Sequence, residues 1–164
     1  MTDALSPVPV PAPVPAPVPV SGKARSAGRA IAIQLLYAYE QNKYTDDGHL
    51  LASDDETPEE PGAAEFAKVL FEGFIGTRVP VDAAIDKRLE NWTIHRLAVV
   101  DRAIMRLGAY EILYCAETPP KVAINEAIEL AKRFGSEEKT TKLVNGVLDK
   151  IARDHRAGDL TKKA

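Results

Sequence analysis

Apolar residues recur along the chain at the three- and four-residue steps of a helix, and no run alternates as a packed strand would. The first stretch differs in kind. Prolines occupy every odd position from Pro7 to Pro19, alternating with Val or Ala. Such a run favours extended polyproline II and has no internal hydrogen bonds, so residues 1–22 read as a disordered tail. Ser21 is placed to cap a first helix. Its stripe is Ile31, Leu35 and Ala38, with Ala27 and Gln34 one position over, running to about Lys43. Residues 45–62 carry acids and prolines and read as a mobile acidic loop. Phe66, Val69, Leu70 and Phe74 then predict a helix from Ala63 to Thr77, which Pro80 is expected to end. Val81, Ile85 and Leu89 predict a short third helix. Asn91-Trp92-Thr93 breaks the pattern, with Trp92 expected in the core and Thr93 able to cap the helix after it.

The next helix is predicted to be the longest. Leu97, Val100, Ile104, Leu107, Glu111 and Tyr114 mark its stripe. Met105, Ala109 and Ile112 widen that stripe, so the helix should be buried over much of its surface. Beyond Pro119-Pro120, the set Ala123, Ile124, Ala127, Ile128 and Ala131 gives a helix from Val122 to Phe134, with Gly135 suited to the C′ position. A polar link over residues 136–140 precedes a last helix from Thr141 to about Arg153, built on Leu143, Val144, Val147, Leu148 and Ile151. Gly146 interrupts that pattern, and a close helix–helix contact is the expected reason. The class is all-α.

Charge changes the picture more than length does. The 164 residues carry a net charge of −3, which fits one domain of ordinary size. Yet residues 45–65 hold eight acids and no Lys or Arg, whereas residues 66–164 hold 17 bases against 14 acids. Without the acidic stretch the foldable part, residues 23–156, is basic, so the acidic mean does not exclude a nucleic-acid partner. Residues 157–164 read as a flexible tail. No apolar run approaches the roughly 18 residues of a membrane span, and the N-terminus lacks the basic start of a secretory signal. A lone Cys115 fits a reducing cytoplasm.

Catalytic chemistry finds little support. His49, His95 and His155 lie far apart, and no Cys/His cluster suggests a metal site. Nucleophile-elbow, phosphate-loop and dinucleotide motifs are missing, and Cys115 reads as a core residue. Neither an enzyme nor a cofactor is expected. Two basic sets remain. One opens the first helix with Lys23, Arg25 and Arg29, followed by Gln34 and Tyr37. The other spans Lys132, Arg133, Lys139, Lys142, Lys150, Arg153 and Arg156. Lys and Arg neutralise phosphates, and Tyr, Asn and Gln read single-stranded RNA by stacking and edge hydrogen bonds. A solvated surface explains the same residues without a ligand. Asn145 reads first as a cap or helix bridge, because polar groups inside a helix pattern must find partners, and only second as a base contact.

The motif from Lys121 to Lys132 (KVAINEAIELAK), then Phe134-Gly135, then Lys142 to Asp149 (KLVNGVLD), resembles the transcription antitermination factor NusB family. Asp101 to Leu107 with Tyr110-Glu111, and Ala32 to Tyr37, match that family's central and first helices, in family order. The resemblance implies two small helical bundles packed into one domain. It implies binding to the boxA element of ribosomal RNA leader transcripts, a complex with ribosomal protein S10, and entry into an RNA polymerase antitermination complex in the cytoplasm. It assigns RNA contacts to Lys23, Arg25, Arg29, Gln34, Tyr37, Lys142 and Asn145. It assigns the S10 surface to Asp101 and Arg102, at an exposed helix edge, and to Glu137 and Glu138. Ser26, Ala27 and Gly28 stand at positions that can be basic in relatives, and Leu143 where an aromatic is common. Two other readings accompany it: the RNA-binding part of a ribosomal RNA cytosine methyltransferase, and a self-associating bundle whose homodimer covers the RNA surface.

Overall fold

A computed structural model describes residues 20–44, 60–90 and 92–163, with side chains as far as Arg156. Residues 1–19 of the proline tail and 45–59 of the acidic loop lie outside the described residues, and Gly22, placed in that tail, is helical. Five helices follow in order: α1 (Gly22–Gln41), α2 (Ala63–Asp86), α3 (Val99–Tyr114), α4 (Pro120–Phe134) and α5 (Lys139–Lys163), with a 3-10 turn at Ile94–Arg96. Among the described residues there is no strand. α3 packs on all four other helices, between the α1–α2 pair and the α4–α5 pair. Two three-helix bundles thus share one central helix. Its residues 101–112 are buried without interruption, as the widened stripe predicts.

Pro80 does not end α2. The helix continues through it to Asp86, and the expected separate third helix is its last turns. A proline inside a helix costs about 3 kcal/mol. Val81 and Ile85, both at 0% exposure, each contribute about 1.5–3 kcal/mol on burial, which outweighs that cost. The lost amide would have served the carbonyl of Gly76, which is exposed and can be hydrated. α3, with 16 residues, is not the longest helix: α1, α2 and α5 have 20, 24 and 25.

Several local expectations are corrected. The buried face of α1 is Ala32, Ile33, Leu36 and Tyr39, while Ile31, Leu35 and Ala38 are half-buried. Trp92 is 52% exposed. The apolar anchor of that link is Ile94, whose amide donates to Asp86 Oδ1 at 2.7 Å, and the Thr93 side chain makes no cap bond. Gly135 is not left-handed (φ −58°). It is needed because a Cβ there would stand 2.4 Å from the Ala131 carbonyl. α5 starts at Lys139 and runs to Lys163, so the chain past His155 is helical. Gly146 makes no close helix contact, since a Cβ there would meet nothing within 4 Å. The close approach of α3 to α5 occurs at Gly108 instead, where a Cβ would lie 2.5 Å from Leu148.

Candidate nucleic-acid interface

The basic start of α1 divides into three environments. The Ser21 hydroxyl accepts from the Ala24 amide at 3.1 Å and caps the helix. Lys23 next to it is exposed. Arg25 is half-buried, with its guanidinium over the Phe66 ring at 5.9 Å. Arg29 is 2% exposed. Its Nε donates to both Glu111 oxygens (3.1 and 2.9 Å) and its Nη2 to Oε1 at 3.0 Å. Glu126 of α4 lies 3.7 Å from the same guanidinium, and the Ser26 hydroxyl donates to Glu126 at 2.9 Å. Burial pushes the Glu111 carboxyl up, against the downward pull of Arg29. Arg29 is thus a structural cation that ties α1 to α3 and α4. Its reading as an RNA contact is corrected, because a phosphate would have to displace a buried bidentate carboxylate. Glu111 signalled this pair in the sequence: a carboxylate on an apolar stripe needs a cation.

Gln34 and Tyr37 lie one turn apart on the outer surface of α1. Tyr37 is 46% exposed, so it is available for stacking and is not core. On α5, Lys142 and Asn145 are likewise exposed and one turn apart, and neither has a partner among the described residues. The structural expectation for Asn145, a cap or bridge, is therefore corrected. Asn125 also makes no cross-helix bond, unlike Glu126 beside it. α1 and α5 do not pack side by side; α3 packs on both. Exposed polar groups on two separated helices thus make up the candidate surface.

Of the expected S10 residues only Asp101 adjoins the turn of Glu137 and Glu138, and neither Asp101 nor Arg102 forms an exposed edge. Asp101 and Arg102 are 6% and 7% exposed. Asp101 accepts from the Ser136 amide at 2.9 Å, from the Ser136 hydroxyl, and from Thr140 Oγ1 at 3.1 Å. It thereby fixes the turn that presents Glu137 and Glu138, both exposed. Arg102 bonds Glu40 of α1 and donates to the Ile94 and Leu97 carbonyls at 3.1 and 2.7 Å. Burial pushes the Glu40 carboxyl up, but hydrogen bonds from Arg102 and Tyr44 and the charges of Arg102 and Arg106 hold it below the usual range. Arg106 grips Asp82 at 2.8 and 2.9 Å. Asp101 and Arg102 went into a buried polar seam because α3 is surrounded, which its widened stripe already hinted.

Burial first, then Glu111 and Glu117, push the Cys115 thiol up to about 12, so no thiolate nucleophile is present near neutral pH. Among the described residues no His, Cys, Asp and Glu group could hold a metal ion. No described helix is long and apolar enough to cross a membrane.

Known proteins share this architecture. A Myxococcus xanthus protein named transcription antitermination protein NusB is 39% identical over 133 residues, covering 79% of this chain and 94% of its own length. The T. maritima NusB structure superposes with a TM-score of 0.72 at 36% identity, over 80% of this chain and 92% of that one. A crystal structure of the antitermination factors NusB and NusE with double-stranded RNA gives a TM-score of 0.70 at 27% identity, over 82% and 99%. The NusB family profile matches residues 26–153, and on that match, with the shared α3-centred helical fold, this chain belongs to the NusB family.

Proposed function

We propose that this chain is an RNA-binding transcription antitermination factor. It binds the boxA element of ribosomal RNA leader transcripts together with ribosomal protein S10, joins RNA polymerase through that complex and suppresses premature termination. It is not an enzyme: its relatives are antitermination proteins. The observation that carries the reading is the family match across residues 26–153, and a solved relative bound to NusE and RNA supports the partners. Lys23, Arg25 and Lys142 would hold phosphates, while Gln34, Tyr37 and Asn145 would meet bases. Glu137 and Glu138 would face S10, with Asp101 a positioning residue behind them.

The RNA residues present few cations, so binding by the protein alone should be modest and salt-sensitive. Fluorescence anisotropy with a boxA oligonucleotide and a scrambled control, each with and without S10, tests the reading. Tighter binding of boxA, strengthened by S10, is expected. Equal affinity for both oligonucleotides in both conditions would overturn it.

A further inference from the structure

Glycine is the worst helix former after proline, and an interior glycine usually admits a neighbouring helix. Gly146 admits none. It is exposed, and a Cβ there would meet nothing within 4 Å. It faces away from Val144, Leu148 and Ile151, which form the buried side of α5. Helical spacing places Lys139, Lys142, Gly146, Asp149 and Arg153 along that outer side. Lys142 has no partner among the described residues. Lys139 and Arg153 are paired only with Glu137 (3.2 Å) and Asp149 (2.7 Å) through exposed side chains, weak pairs that a phosphate can replace. Three cations and one carboxylate, Asp149, therefore share this side of α5, and the notch at Gly146 lies between Lys142 and the Asp149–Arg153 pair.

We propose that Gly146 is a contact point for single-stranded RNA, where a phosphodiester closes onto bare helix backbone between Lys142 and Arg153, beside Asn145. This rests on the RNA-binding reading above. The amide of Gly146 is held inside the helix, so the contact is one of shape, and its neighbours supply the charge. A protein partner fits less well. This side of α5 presents no apolar or aromatic anchor, and lysine is depleted from protein–protein interfaces. Interfaces with nucleic acid are polar and basic.

The test joins thermal unfolding to anisotropy with labelled boxA RNA, with and without S10, and to S10 affinity in the absence of RNA. Gly146→Ala should raise Tm by about 2–5 °C, because it removes only a propensity cost. It should weaken RNA binding about tenfold, because its methyl group overfills the notch. Gly146→Gln, bulkier and equally uncharged, should weaken it further. RNA affinity of Gly146→Ala indistinguishable from wild type would overturn the inference and leave the RNA-binding reading standing. So would a loss confined to S10 affinity, which would assign the notch to the protein partner. Absence of RNA binding by the wild type would overturn the reading and the inference together.

Discussion

At the start of α1, Arg29 lies under Phe66 with its guanidinium closed on Glu111; on the outer side of α5, Lys142 stands exposed without a partner among the described residues. Both are cations in helices. Their surroundings give them opposite work. Arg29 meets a carboxylate in a dry setting, where removing one member strands the other. Lys142 meets water, which it can exchange for phosphate at little cost to the fold. Charge in the sequence marks candidates, and burial sorts them.

Arg29→Ala should give the largest effect. It leaves Glu111 buried and unpaired, and should cost about 3–5 kcal/mol of stability in urea titrations. A loss no larger than that of a surface substitution would place Arg29 among the binding residues after all. Tyr37→Ala comes next, with the sign moved from folding to binding. Stability should hardly change, while RNA affinity should drop by about 1–3 kcal/mol if the ring stacks on a base. Lys142→Ala should alter stability by less than about 0.5 kcal/mol, and should lower the slope of log affinity against log salt by about 0.7. An unchanged slope would remove Lys142 from the phosphate contacts.

The smallest effect concerns acid. The folded Glu40 carboxyl lies below its ordinary range. It therefore contributes stability that is present above its unfolded value of about 4.3 and lost as pH falls through the folded value. Glu40→Gln should flatten the acid side of a stability–pH curve measured by urea midpoints. A curve parallel to wild type would show that the seam of Arg102 and Arg106 does not depend on this carboxylate.

Helical spacing made the class and most elements legible. The widened stripe of α3 foretold its burial, because a helix touched on every side must be apolar nearly all round. Local rules failed where tertiary burial outweighed them: Pro80 stays inside α2 because Val81 and Ile85 are in the core. Trp92 misled because size suggests burial, whereas Ile94 two residues on fits the space. The site was legible as a set of residue types and not as a surface. Arg29, Asp101 and Arg102 carry charges that a single sequence suggests are exposed, and their partners Glu111, Ser136 and Glu40 lie 82, 35 and 62 residues away. Gly146 stood out as an anomaly, but the close helix contact expected of it lies at Gly108 instead.

If Arg29 serves the fold, RNA binding rests on the exposed cations alone. The most direct measurement compares boxA RNA affinity, with S10 present, for wild type, Lys142→Ala and the double variant Arg29→Met with Glu111→Leu. The double variant removes both members of the buried pair and should fold, since apolar replacements of such pairs are often neutral. It should keep wild-type RNA affinity while Lys142→Ala loses affinity. A folded double variant that loses RNA binding, beside a Lys142→Ala variant that retains it, would contradict the account.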